Sequence, residues 1–244
     1  MSLIADLKML RSLAHGKPRS GNHQADLESF YAQQAGDYDR FREKLLHGRG
    51  ELLADLNLPD GAILAEFGAG TGRNLEFIAA RIPQLRAIHL IDLCPSLLSK
   101  ARQRSQAHAW HSVTCHETDV TTWTAPEPLD AVLCSYSLTM IPDWQSAIVN
   151  AIRNVKPGGL IAVVDFYVSS VNPPPGRIRH NLATRWFWPR WFGHDGVRPD
   201  ARHLEVLLSR TEPLSLVEAS ARVPWMAGLR APYYRYIGRR PVSP

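Results

Sequence analysis

Glu66 sits in an apolar run, Leu64-Ala65-Glu66-Phe67, and Gly68, Gly70 and Gly72 follow at alternate positions before Arg73 and Asn74. A glycine lets the backbone turn sharply and approach a ligand closely, because no Cβ stands in the way. A helix that opens after such a turn directs its free N–H groups at the contents of the turn, which favours anionic groups there. The arrangement predicts a strand-turn-helix site for a nucleotide-like cofactor. Its spacing is G-x-G-x-G after an acid, distinct from the G-x-G-x-x-G of dinucleotide enzymes. About 20 residues further on, the separation expected of a βαβ unit, Asp92 closes the run Leu90-Ile91-Asp92 ahead of Leu93. A carboxylate there can accept two charge-assisted hydrogen bonds from a ribose diol.

The acid and its glycine turn resemble motif I of the class I S-adenosylmethionine-dependent methyltransferases. The resemblance implies that Glu66, Gly68, Gly70 and Gly72, with Asn74, hold the amino-acid end of that cofactor. It places the ribose on Asp92 and the adenine against Leu93. Asp119, in Thr118-Asp119-Val120, would meet the adenine amino group, with Val120 beside it. Ser135, ahead of Tyr136 and Ser137, would border the methyl end. A dinucleotide oxidoreductase is the competing reading of the glycines. It needs a differently spaced turn and leaves the later Lys156-Pro157-Gly158-Gly159 unexplained.

The elements that must position these residues alternate. Strands are expected over 62–67, 86–91, 111–117, 130–135 and 160–166, and helices over 73–82, 95–107 and 143–155, with Pro95 in a first helical turn. A short helix over 203–209 and two final strands over 214–223 and 233–238 follow. Such alternation predicts an α/β fold: a doubly wound, mostly parallel seven-stranded sheet, Rossmann-like, with helices on both faces. Ligands would bind at the C-terminal strand ends near the topological switch. Ahead of the sheet, residues 2–14 read as an amphipathic helix, with Leu3, Ile4, Leu7, Leu10 and Leu13 on one face. A linker and a helical stretch over 26–56 come next. After the fifth strand, Asn172-Pro173-Pro174-Pro175-Gly176 stops the pattern and an Arg/Trp-rich insertion begins. The expected division is therefore 1–25 as helix and linker and 26–240 as the catalytic domain, with 172–200 inserted in it.

The chain of 244 residues suits one domain with appendages, and its net charge of +5, carried almost wholly by arginine, points to an anionic partner such as nucleic acid or a lipid surface. No run is long and apolar enough to span a bilayer, and the N-terminus lacks a secretory pattern. Cys94, Cys115 and Cys134 follow no metal spacing and read as reduced thiols in the cytoplasm.

A narrower resemblance rests on Ser135-Tyr136-Ser137-Leu138-Thr139-Met140-Ile141-Pro142-Asp143-Trp144, which looks like the strand-four signature of the betaine-lipid N-methyltransferases. Further likeness lies in Tyr38-Asp39-Arg40-Phe41-Arg42, His47-Gly48-Arg49, Trp188-Pro189-Arg190-Trp191-Phe192 and Pro232-Tyr233-Tyr234-Arg235-Tyr236-Ile237-Gly238. The resemblance implies three successive methyl transfers to the amine of diacylglyceryl-homoserine, giving a trimethylated betaine headgroup. It also implies association with the 3-amino-3-carboxypropyl transferase that makes this lipid.

That chemistry is an in-line displacement at a sulfonium, so the enzyme chiefly aligns a neutral amine with the methyl and excludes water. Alignment alone is worth up to ~7–11 kcal/mol. Neither a metal nor a covalent nucleophile is needed. A neighbouring sulfonium or arginine lowers an ammonium pKa by like-charge repulsion. Aromatic faces attract the quaternary product by about 0.5–2 kcal/mol each; Tyr136, Tyr31 and Tyr38 are the leading candidates, with Tyr167 and Trp188 behind them. The guanidinium fork suits the homoserine carboxylate, and Arg42, Arg179, Arg185 and Arg235 are candidates, with Tyr167 beside them as a substrate contact.

The substrate is lipid-borne, so peripheral binding on the cytoplasmic face of a membrane is expected, through the N-terminal helix or the insertion. The same helix could instead dock on protein, and the insertion could be a lid. A phosphatidylethanolamine N-methyltransferase, or another small-molecule or lipid methyltransferase, is the nearest alternative. A nucleic-acid methyltransferase is disfavoured, because Asn172-Pro173-Pro174-Pro175 falls after strand five and lacks the aromatic of base-amine enzymes. A non-catalytic lipid-binding protein would not need the intact glycine turn and Asp92.

Overall fold

The computed structural model describes residues 21, 23–32, 43–194, 196–224, 226 and 228–242. Seven strands form one sheet: β1 Ile63–Phe67, β2 Ala87–Asp92, β3 Val113–Glu117, β4 Leu129–Ser135, β5 Val155–Phe166, β6 Glu212–Arg222 and β7 Arg230–Arg239. Their order is β3-β2-β1-β4-β5-β7-β6. The first five run parallel, and β7 pairs antiparallel with both β5 and β6. The helices are α1 His23–Ala32, α2 Arg49–Asp55, α3 Pro95–Ala107, α4 Trp144–Asn154, α5 Leu182–Gly193 and α6 Arg202–Arg210. Among the described residues no helix is long and apolar enough to cross a membrane.

The central strands are covered on both faces, which is why they read as nearly unbroken apolar runs. On β1, Leu64 packs into one core while Ile63, Ala65 and Phe67 pack into the other. Strand order reverses between β1 and β4, so the crevice lies beyond Phe67 and Ser135. The Lys156-Pro157-Gly158-Gly159 element acts at the opposite end of the sheet. Lys156 pairs with Asp130 at the start of β4, and Asp130 also accepts a 2.8 Å hydrogen bond from the Ile63 backbone N–H. Burial alone would raise the pKa of Asp130, yet Lys156 and that N–H hold it below the ordinary carboxylate value. One side chain thus locks β1, β4 and β5 together.

Two expectations are corrected. The stretch over 26–56 is not one helix: residues 44–48 are non-helical and α2 begins at Arg49. Gly48 starts α2 with φ +80°, and a Cβ there would lie 2.6 Å from the Tyr233 ring, so the break lets the chain settle on β7. Residues 73–82 form no α-helix but two 3-10 turns, Arg73–Ile78 and Ile82–Gln84. Asn74 is drawn to Glu66, while Arg73 pairs with Glu43 and Glu76. Pro83, in the second turn, has no N–H to continue an α-helical ladder. The insertion is partly helical, since Asn181 accepts a 2.8 Å hydrogen bond from the Thr184 N–H and so caps α5. Residues 2–14, the N-terminal helix of the sequence reading, lie outside the described residues, as do Tyr38, Arg42 and most of the linker.

Replacing Asp130 by Ala leaves a buried N–H unpaired and is expected to cost about 1–3 kcal/mol of stability. Urea unfolding with an unchanged slope would register it; a loss near zero would contradict the locking role.

Candidate active site

A cavity of about 380 Å³ opens at the C-terminal ends of β1, β2 and β4. Glu66, Gly68, Gly70 and Asn74 line one side. Asp92 and Leu93 follow β2, Asp119 and Val120 follow β3, and Ser135 and Tyr136 come from β4. Gly72 stands behind the wall: a Cβ there would lie 3.0 Å from Leu90 and 3.2 Å from Ala101, so it serves the packing of α3 against β2. Gly68 has φ +73°, and a Cβ on it would collide with the side chain of Ser137. Its absence lets the two loops of the switch point touch.

Glu66 controls the electrostatics. It is fully buried and faces the same core as Leu64, by strand alternation. One carboxylate oxygen accepts a 2.5 Å hydrogen bond from Asn74 Nδ2. Arg49 Nη1 in turn donates to Asn74 Oδ1 at 3.2 Å. Burial pushes the Glu66 pKa up to about 8, against the Asn74 hydrogen bond and the Arg49 charge. The other oxygen, Oε2, has no partner among the described residues, and neither have Ser135 Oγ and Ser137 Oγ in the same cavity. Buried polar atoms are normally paired. These three therefore fit a polar ligand, and the acidic one fits the ammonium of an amino acid.

Asp92 bridges the turns. Oδ2 accepts from the Gly70 N–H at 2.8 Å and Oδ1 from the Cys94 N–H at 2.9 Å, which fixes both oxygens at the rim of the cavity. Asp119 is held by the Thr121 N–H at 2.8 Å. This set matches the amino-acid, ribose and base ends of S-adenosylmethionine, which brings a methyl group on a sulfonium.

Tyr136 takes φ +54° and its hydroxyl donates to the His47 carbonyl at 2.7 Å. Burial pushes its pKa well above the ordinary tyrosine value. It offers the cavity a ring rather than a base. Behind it runs an aromatic chain: Tyr136 to Phe166 at 4.6 Å, Phe166 to Phe192 at 4.3 Å and Phe192 to Trp188 at 5.3 Å between centroids. This chain seats α5 on the sheet.

A second cavity, of about 1030 Å³, shares Met140, Ile141 and Pro142 with the first. The shared wall is the 3-10 turn Leu138–Met140 and the residues after it. Asp165, fully buried on β5, accepts from Thr139 Oγ1 at 2.7 Å and from the Thr139 N–H at 3.1 Å, and so holds that wall. The Arg198 N–H donates to the Thr139 carbonyl at 2.8 Å, which joins the insertion to the same turn.

Of the proposed substrate residues, Arg185 lines this second cavity. Tyr167 does not reach either cavity. It follows Phe166 onto the opposite face of the sheet, where its hydroxyl donates to Glu218 and its ring meets Tyr234. Arg235 is occupied with Asp55 at 3.5 Å, and Arg179 is exposed on the outer surface. Tyr31 belongs to α1. Arg49 and Arg198 are site residues to which the sequence reading assigns no role; the triplet His47-Gly48-Arg49 is the one signal for the first of them.

A family model described as a methyltransferase domain matches residues 64–159, which run from β1 into β5 and carry nearly all of the cofactor cavity. The chain is an S-adenosylmethionine-dependent methyltransferase. It is 24% identical over 204 residues to a trans-aconitate 2-methyltransferase of Azoarcus sp. (strain BH72), covering 78% of this chain and 77% of that protein. A trans-aconitate 2-methyltransferase of Methylobacterium nodulans is 29% identical over 129 residues, covering 53% of this chain and 48% of that protein. The match thus spans about half the length of this second relative. Among solved structures, the N-methyltransferase NodS of Bradyrhizobium japonicum with S-adenosyl-L-homocysteine superimposes with a TM-score of 0.57 at 18% identity, over 96% of this chain and 97% of that one. That likeness concerns the fold.

The raised pKa of Glu66 makes cofactor binding by this methyltransferase pH-dependent. A bound ammonium requires the ionised carboxylate, so affinity is expected to rise with pH up to about 8, and binding at pH 7 should release roughly one proton. In the free protein, the same shift contributes stability that is full below the ordinary carboxylate value and is lost as pH rises through about 8. Glu66→Gln should remove the proton release and weaken binding roughly 10–100-fold. Calorimetry in buffers of different ionisation heat measures both; binding without proton exchange in the unaltered protein would refute the assignment.

Proposed function

We propose that this methyltransferase acts on the amine of diacylglyceryl-homoserine, up to three times, and produces the trimethylated betaine lipid. The observation that carries the reading is the cavity beyond the Met140, Ile141 and Pro142 wall, whose lining mixes both charges. Arg185 and Arg198 have no acidic partner among the described residues. Arg202 in the same lining is paired with Asp200, and Glu205 lies nearby. An amino-acid headgroup, with a carboxylate for the free guanidinium groups and an amine directed toward the wall, suits such a lining. The strand-four resemblance, Ser135 to Trp144, supports the same acceptor.

No base is required at the nitrogen. The arginines and the sulfonium favour the neutral amine by repulsion of its protonated form. The Tyr136 ring, with its hydroxyl already committed to His47, remains to attract the product cation. The enzyme that supplies diacylglyceryl-homoserine is proposed as a partner, and the cytoplasmic membrane face as the place of work. Methylation of a free polycarboxylate is a second reading. It is favoured by the relatives named trans-aconitate 2-methyltransferases and by the same two arginines.

The test offers purified protein and labelled S-adenosylmethionine three acceptors: dispersed diacylglyceryl-homoserine, phosphatidylethanolamine and trans-aconitate. Label is expected in the homoserine lipid, as one to three methyls by mass. Replacing both Arg185 and Arg198 by Gln should raise its KM roughly 10–100-fold with little change in cofactor affinity. Turnover of phosphatidylethanolamine or trans-aconitate, with none of the homoserine lipid, would contradict the proposal.

A further inference from the structure

α5 has two unlike sides. Trp188 and Phe192 are buried in the core. Leu182, Trp186 and Arg190, spaced four apart, form the outer stripe, with Leu182 78% and Trp186 59% exposed. Val171 and Ile178, just ahead of the helix, are also exposed. The Arg190 guanidinium lies 4.6 Å from the Trp186 ring centroid and Nη1 donates to the Trp186 carbonyl at 2.9 Å. Across residues 166–194 the chain holds Arg177, Arg179, Arg185 and Arg190 and no acidic residue. None of Val171, Ile178, Arg179, Leu182, Trp186 and Arg190 lines either cavity.

We infer that this outer face docks on an anionic lipid bilayer. Large apolar side chains exposed on one helix face, here Leu182 and Trp186, mark an interaction site. A tryptophan ring under an arginine suits the headgroup zone, where the ring meets the acyl boundary and the guanidinium meets phosphate. Arg179 and Arg190, exposed in a segment that carries no acidic residue, complement a negatively charged leaflet. Nucleic acid would use the arginines but has no place for Leu182, Val171 and Ile178. A second copy packed symmetrically on this face would set the same arginines against each other.

The surface is held in shape before it binds. Arg177 donates to Glu218 on β6 at 2.6 Å, Tyr167 donates to the same carboxylate, and Asn181 caps α5. Little ordering cost remains at docking. The inference concerns where the enzyme sits and does not depend on which acceptor it methylates.

The test is flotation of the full chain with vesicles of phosphatidylcholine alone or with phosphatidylglycerol, and no acceptor lipid present. Two double variants are compared, Leu182→Ser with Trp186→Ser and Arg179→Gln with Arg190→Gln, and affinity for S-adenosylhomocysteine reports folding. Binding is expected on the phosphatidylglycerol vesicles and weak on the neutral ones. Both variants should lower it roughly tenfold or more while keeping cofactor affinity. If the apolar variant loses cofactor affinity, the arginine variant decides. Vesicle binding unchanged in the arginine variant overturns the inference. So does failure to bind vesicles together with binding of duplex RNA, or with a dimer that the apolar variant dissolves.

Discussion

A carboxyl group with no exposed surface sits near the end of β1, and the surrounding structure answers to it. Burying an acid costs free energy unless it is neutralised or paired. At Glu66 the pairing is incomplete: Asn74 satisfies one oxygen and Arg49 supports Asn74, while Oε2 stays buried and unpaired among the described residues, on a side chain that lines the cavity. That arrangement explains several departures from regularity at once. Asn74 must reach back to the strand, so the chain after Gly72 winds as a tight 3-10 turn. Arg49 must lie against Asn74, so α2 crosses the strand ends and begins at Gly48, where the backbone passes close to Tyr233. The unpaired oxygen fits the ammonium end of the cofactor, and Asp92, anchored on two backbone N–H groups, is placed to meet its middle.

The proposed reaction also needs donor and acceptor to meet in line at one point. The turn after β4 borders both cavities where they would meet, and a buried acid again sets it in place. Asp165 grips Thr139 through side chain and backbone, and Thr139 in turn accepts the Arg198 N–H. Burial pushes the Asp165 pKa up to about 7, against the hydrogen bonds from Thr139 and Phe166. The aromatic chain from Tyr136 to Trp188 fixes α5 to the same region, so the wall and the insertion are seated together. One cavity is built from the sheet's strand ends and the other from the insertion, and they meet at three residues.

The cofactor half is legible in the sequence because its signals are local. Strands buried on both faces read as apolar runs, and Glu66, Asp92 and Asp119 stand at or just beyond their ends, where a loop must begin. Arg49 is not legible in this way. Its place beside Glu66 comes from a contact with Asn74, 25 positions along the chain, that exists only once α2 has packed. Tyr167 shows a different limit. Along a strand buried on both sides, nothing in residue type distinguishes the face of Phe166 from that of Tyr167; pairing with β4 and β7 decides it. The helical period over 73–82 is overridden by side-chain demands from Glu66 and Glu43. Arg198 escapes notice because it is brought to the second cavity by its backbone N–H on the Thr139 carbonyl, a tie that carries no residue signature.

The central claim is that the unpaired oxygen of Glu66 receives the amino group of the cofactor while Met140, Ile141 and Pro142 face its sulfur. A crystal structure with S-adenosylhomocysteine tests it directly. The account predicts the homocysteine ammonium within hydrogen-bond distance of Glu66 Oε2, the ribose hydroxyls on Asp92 and the sulfur turned toward the second cavity. A product molecule bound with its amino-acid end away from Glu66, or with its sulfur sealed off from that wall, would contradict it.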